Sequence, residues 1–339
     1  MLGPLPPLQD LPYLQTLVIG GNLLTGQIPD LSTLTQLQEV DFGINNLTGE
    51  IPSITNLKQL RRFAVGTNKL TGPLPSLTGL TKLEYLDANN AGLSGSIPDL
   101  SDVVSLKTLV LDFNQLSGSI PSLAGLTQLE TIYLQQNLLT GVIPSLSGLT
   151  NLKYFDASSN QLTGSIPDLT GLTNLTSFDA SYNRLSGSIP ELSGHGLSSL
   201  GTFAIHDNGL TGPIPSLEGL PNLSLYAQHN MLSGPFPKLA GNIVILLIQD
   251  NQLSGPIPDL SGLTSLLYFF IGANHFDGIL PDPPVNAISG AGLCPNYFSE
   301  SSFVDNAHWD TATHYSPWWQ IPFPNNKCDD LFHAEFDNF

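Results

Sequence analysis

The chain has 339 residues, of which 11% are charged, and its 28 acidic against 10 basic side chains leave a formal charge of −18. That charge repels a phosphate backbone or an anionic membrane, which excludes nucleic-acid binding as a function class. No apolar run reaches the length of a membrane-spanning helix, the longest being strand-sized stretches at 243–248 and 266–271.

From the first residues onward the pattern is periodic. The opening Met1-Leu-Gly-Pro-Leu-Pro-Pro-Leu8 lacks the basic start and apolar run of a secretory signal. Its Gly3 to Leu8 segment lies 23 residues before Gly26-Gln-Ile-Pro-Asp-Leu31, so the first residues are in mid-repeat. The expectation is that either an upstream signal and cap precede this stretch or another chain covers this end.

The motif Asn-x-Leu-(Thr/Ser)-Gly-x-(Ile/Leu)-Pro then recurs with its leucine at 24, 47, 70, 93, 116, 139, 162, 185, 210, 232 and 253, closing on Phe276; eight of the eleven intervals are 23 residues. Upstream of each asparagine an alternating segment such as Leu109-Val-Leu111 predicts a short strand, and strands one repeat apart must pair in parallel. The asparagine amide is suited to bonding the backbone groups of the turn that follows. Ala91 replaces it once, which predicts a weak rung where Asn89, Asn90 or water must serve. The Gly and Pro of the motif rule out a long outer helix. Asp30, Ser53, Ser76, Asp99, Ser122, Asp168 and Asp259 precede Leu-x-x-Leu and read as caps on short 3₁₀ turns.

Leu-(Thr/Ser)-Gly-x-Ile-Pro, as in Leu162-Thr-Gly-Ser-Ile-Pro167, resembles the plant-type extracellular leucine-rich repeat found in receptor-like kinase ectodomains and polygalacturonase-inhibiting proteins. The resemblance covers roughly residues 3–282. It implies the α/β repeat class: a right-handed leucine-rich-repeat solenoid with a concave parallel β-sheet for recognition, 3₁₀ turns on the convex side, and an extracellular location. The predicted domains are a solenoid over 1–282, a half-repeat followed by twelve repeats, and an aromatic C-terminal cap over 283–339. Four features of this stretch are read as departures from the family: the period of 23 rather than 24, no cysteine-paired N-terminal cap, no kinase or anchor, and an unusually aromatic tail.

Outward strand positions fall two, four and six residues before each asparagine, with the residue one before it at the turn. These columns hold Tyr85, Tyr133, Tyr154, Tyr182, Tyr226, Tyr268 and Phe113, together with Glu39, Asp41, Asp87, Asp112, Asp156, Asp179, Asp207 and Asp250; Arg62 is the only cation. Asp156 and Asp179 share a position on adjacent strands, about 5 Å apart, where repulsion calls for a cation or basic partner. Asp207, His229 and Asp250, with His206 beside them, have the ligand types of a divalent-metal or pH-sensing patch. Their spacing matches no metal motif, and a hydrogen-bonded ladder is the preferred reading. No metal, cofactor or catalytic residue is assigned, because no nucleophile elbow, phosphate loop or zinc-protease helix occurs.

Asn46, Asn174 and Asn222 are glycosylation sequons. The two cysteines, Cys294 and Cys328, are expected to form a local disulfide in an oxidising compartment. All three tryptophans, Trp309, Trp318 and Trp319, fall in the tail and read as cover for the last coil. The function expected is non-catalytic recognition of a protein or polysaccharide on the concave face. Two rivals stand beside it: a structural glycoprotein that self-associates through the solenoid ends into a filament or wall layer, and ice binding by the hydroxyl row after each anchor leucine.

Overall fold

Leucines three residues apart cannot all be buried by a strand, but a chain of tight turns buries each of them. Leu34 N–H donates to the Leu31 carbonyl and Leu37 N–H to the Leu34 carbonyl, both at 3.0 Å, and all three side chains are fully buried. The 3₁₀ turns read from the sequence are thus successive single turns with the three-residue bond of a 3₁₀ helix, not continuous helix. Each starts at a cap: the Asp30 carboxylate accepts the Ser32 N–H at 2.9 Å and its hydroxyl at 2.7 Å. Asp99, Asp168 and Asp259 repeat the arrangement with Ser101, Thr170 and Ser261.

The computed structural model describes residues 1–220, 222–236, 239, 243–284, 288–299 and 309–310. Two compact units, Met1–Arg184 and Leu185–Phe339, divide it, and both are built as a parallel-strand solenoid. In the first, eight strands run in chain order through the main sheet: Thr16–Val18, Glu39–Asp41, Arg62–Ala64, Tyr85–Asp87, Thr108–Val110, Thr131–Tyr133, Tyr154–Asp156 and Ser177–Asp179. Thr108 partners Thr131 and Tyr133 partners Asp156, so the 23-residue period sets the register. Five strands do the same in the second unit: Thr202–Ala204, Leu223–Tyr226, Ile243–Leu247, Tyr268–Phe270 and Gly290–Gly292. In the strands from Glu39–Asp41 to Thr202–Ala204 the middle residue is buried in the core, where Phe155 and Phe178 stack with centroids 5.1 Å apart. Short strands from the Leu-(Thr/Ser)-Gly segments, such as Gln115–Ser119 against Leu138–Thr140, make further parallel ladders.

The asparagine ladder is present as expected. Asn137 donates its amide to the carbonyls of Leu111, Leu134 and Gln135 at 3.0, 3.1 and 3.4 Å, and its Oδ1 accepts the Leu116 N–H at 2.9 Å. One side chain therefore ties two repeats and satisfies four backbone groups. It also holds the residue before it left-handed, with φ 57° at Gln136 and 51–55° at Phe113, Tyr182, Asp207, His229 and Asp250, a conformation costing a non-glycine residue about 1 kcal/mol or more. Those side chains are turned outward as a result.

Two features differ from the sequence reading. At Ala91 the rung is rebuilt: the Leu70 N–H, which would meet an asparagine side chain, donates to the Ala91 backbone carbonyl at 2.8 Å, and Gly92 takes φ 85°. Neither Asn89 nor Asn90 supplies that acceptor. The ladder also runs one coil beyond Phe276, since Asn296 Oδ1 accepts the Phe276 N–H at 2.9 Å and its amide donates to Ile271 and Leu293. Trp309 is fully buried, stacks on Phe269 at 5.8 Å and donates its ring N–H to the Pro281 carbonyl at 3.0 Å. Cys328, Trp318 and Trp319 lie outside the described residues, and with them the expected disulfide.

Candidate functional site

The outward columns fall where the repeat phase put them. In Met1–Arg184 the first four rungs hold the one outward cation of that unit's face, Arg62. Arg62 reaches Asp41 at 3.2 Å and Glu39 at 3.5 Å, and its guanidinium carbon lies 4.0 Å from the centre of the Tyr85 ring. Such a cation over an aromatic face is favoured by the ring quadrupole. The Tyr85 hydroxyl donates to Asp87 Oδ2 at 3.1 Å, and Asn89 N–H donates to its other oxygen at 3.0 Å.

The next four rungs carry the same acidic and aromatic types without a cation. Asp156 and Asp179 are direct register partners, each accepting the N–H and hydroxyl of the serine two residues on, Ser158 and Ser181, at 2.6–2.9 Å. Burial, then the charge of Asp179, pushes Asp156 up to about 6 against those bonds. Asp112 is only 7% exposed, its Oδ1 has no partner, and burial followed by the charge of Asp87 raises its carboxyl. The adjacent rung brings Gln135, whose buried Oε1 is also without a partner. Tyr133, on the same rung as Gln135, is raised by burial and by Tyr154, Asp156 and Asp112. Tyr154 and the turn residue Tyr182 are exposed. The flanking lysines are engaged elsewhere: Lys107 pairs with Glu84 and Lys153 with Glu130, both at 2.7 Å.

In Leu185–Phe339 two residues of the turn column, Asp207 and His229, meet together with His206 beside them. His206 Nδ1 lies 2.8 Å from Asp207 Oδ2, and His229 Nδ1 lies 3.1 Å from Asp207 Oδ1. Burial opposes the charge on Asp207, but the hydrogen bonds from the two imidazoles and their charges outweigh it and hold the carboxyl well below the usual range. Asp250 follows at the next turn, exposed, and Tyr226 is half-buried in its strand. Among the described residues no group of three or more His, Cys, Asp or Glu side chains is placed to hold a metal.

Asn46 is half-buried within Asn46–Gly49, Asn174 is exposed and donates to the Thr150 carbonyl at 2.8 Å, and Asn222 is exposed with φ 55°. The sequence reading placed Asp112 on the face without singling it out and missed Gln135, Gln228 and Gln249. The last two also hold buried, unpartnered carbonyl oxygens. Their column position was legible; the absence of a donor opposite them was not.

Parallel strands at a 23-residue register, joined by inward leucines and an asparagine ladder, specify the architecture. The fold is a leucine-rich-repeat solenoid. Models of leucine-rich repeats match residues 104–162 and 150–194. No curated protein matches the sequence significantly. Among solved structures, the solenoid resembles the ectodomain of the Arabidopsis thaliana membrane receptor kinase GASSHO1/SCHENGEN3, in complex with CASPARIAN STRIP INTEGRITY FACTOR 2, at TM-score 0.70 and 27% identity, covering 87% of this chain and 40% of that one. The ectodomain of the Arabidopsis receptor kinase HAESA, in complex with an N-terminally extended IDA peptide hormone ligand, matches at TM-score 0.62 and 28% identity over 87% of this chain and 61% of its own. An internalin, InlF, from Listeria monocytogenes matches at TM-score 0.53 and 22% identity over 86% and 84%, a likeness of fold alone. The solenoid thus spans less than two thirds of both receptor ectodomains. No helix among its described residues is long and apolar enough to cross a membrane.

Proposed function

We propose that the solenoid is an extracellular, non-catalytic recognition module that binds a protein partner, presented as an extended peptide segment, across the rungs of Tyr133, Tyr154, Asp156 and Asp179. The observation that carries this is the in-register Asp156–Asp179 pair, kept beside outward tyrosines although its charge works against the fold. Uncompensated charge of this kind marks functional surfaces. The peptide-hormone complex of the HAESA ectodomain supports a peptide over a polysaccharide. The sequons at Asn46, Asn174 and Asn222 support passage through the secretory route. The His206–Asp207–His229 ladder is structural in this reading.

Selection from a random peptide library tests it. The chain is expected to retain a defined set of peptides at neutral pH, and the combined Tyr154→Ala, Asp156→Asn, Asp179→Asn variant, folded by circular dichroism, is expected to release them. Equal retention by the variant would refute the assignment of the face.

A further inference from the structure

Asp112, two residues past the strand Thr108–Val110, is the one buried carboxylate of Met1–Arg184 with an oxygen left unpartnered, and the next rung repeats the deficiency at Gln135 Oε1. Backbone bonding confirms that these rungs are neighbours, since Phe113 N–H donates to the Gln135 carbonyl at 3.0 Å. Two unpartnered acceptors one strand spacing apart, about 5 Å, match a single cationic head that donates to both. A buried polar oxygen without a partner costs on the order of 1–3 kcal/mol.

The chain itself supplies a template for the occupant. Two rungs before Tyr133, the aromatic ring of Tyr85 is covered by Arg62, which also binds Asp41 and Glu39. Tyr133 has Val110 as its register partner on one side, with Asp112 two residues further along that chain and close enough to raise the Tyr133 hydroxyl, and Asp156 as its partner on the other; no Lys or Arg occupies an outward position on the rungs of 108–112, 131–135, 154–158 or 177–181. The second set has the acids and the ring but lacks the cation.

Resting on the recognition reading above, we propose that Asp112, Gln135 and Tyr133 form a receptor for the cationic side chain, lysine or arginine, of the bound peptide, its stem over Tyr133 and its head on Asp112 Oδ1 and Gln135 Oε1. The charged groups facing this position are Asp87, Asp112, Asp156 and, behind Asp156, Asp179; Tyr154 and Tyr133 are the titratable rings. Because burial raises both Asp112 and Asp156, acidification protonates these carboxyls and lowers occupancy, and raising the pH restores it.

Two measurements test the proposal on the full chain. In the peptide selection, one position is expected to be enriched in Lys or Arg, and Asp112→Asn is expected to weaken a selected peptide roughly tenfold or more while raising the melting temperature. Exchange of the selected residue among lysine, arginine and citrulline separates ammonium from guanidinium and both from a neutral isostere. Binders without a basic residue, lost on Tyr154→Ala but indifferent to Asp112→Asn, would overturn the cation receptor and leave the recognition reading intact. Separately, the Asp side-chain carboxyl carbons are followed by NMR during titration with N-acetyl-lysine amide, N-acetyl-arginine amide and N-acetyl-citrulline amide. A response of Asp112 to one or both cations and not to citrulline supports the site even if no peptide is selected; no response to either cation overturns it.

Discussion

Asp156 and Asp179 sit opposite each other on neighbouring parallel strands, and each carboxylate is tethered by the serine two residues further along its own chain. The serines fix the side chains, so the two charges cannot swing apart. The folded value of Asp156, about 6, lies above the 3.8 of an unperturbed group. The folded state therefore holds this proton more tightly, and stability falls as pH rises from about 4 to about 6. Asp156→Asn, which keeps an acceptor for Ser158, is expected to flatten this slope. The gain should be of order 1–2 kcal/mol at pH 8 and close to nothing at pH 4, read from denaturant midpoints across the pH range.

Asp207 shows the opposite sign. Held below its ordinary value by His206 and His229, it contributes stability that is present above the unfolded value and lost as pH falls through the folded one. His229→Ala is expected to cost about 1 kcal/mol near neutrality, discounted for the partial exposure of both groups. It should also move the Asp207 midpoint upward in an NMR titration. An unchanged midpoint would show that His206 alone maintains the carboxylate.

The rebuilt rung at Ala91 separates two substitutions that look alike in sequence. Ala91→Asn is expected to bring no gain in melting temperature, because the Leu70 N–H is already bonded to the Ala91 carbonyl. Gly92→Ala is expected to destabilise by roughly 2 kcal/mol or more, since φ is 85° and an added Cβ would lie 2.5 Å from the Leu70 carbonyl oxygen. A neutral Gly92→Ala would mean that the turn relaxes to the ordinary asparagine form.

In the regular ladder, by contrast, Asn137→Ala strands the buried Leu116 N–H and withdraws a donor from three carbonyls. A loss of about 2–3 kcal/mol is expected. Hydrogen exchange should show it concentrated at Leu116 and neighbouring amides, and a diffuse loss across Met1–Arg184 would contradict a local role.

Trp309 is expected to stabilise Leu185–Phe339 by closing over Phe269. Trp309→Ala should cost about 3–5 kcal/mol, whereas Trp309→Phe, which keeps the stacking but loses the bond to the Pro281 carbonyl, should cost about 1 kcal/mol. Thermal melts of both variants check the ratio.

What the sequence determined by itself was everything that repeats. A 23-residue period with one asparagine per turn forces neighbouring strands into one register, so the outward positions of Tyr133, Tyr154, Asp156 and Asp179 followed by counting, as did the caps at Asp30 and Asp99. Tertiary structure decided what depends on a neighbour's atoms. That Asp207 is gripped by two imidazoles, that Ala91 lends its own carbonyl, and that Asn296 adds a further coil all turn on contacts of 2.8–3.1 Å, and Asp112 Oδ1 and Gln135 Oε1 stand out because they have none. A hydrogen bond fails within a few tenths of an ångström beyond such contact, a precision that periodicity sets for the backbone and leaves open for each side chain.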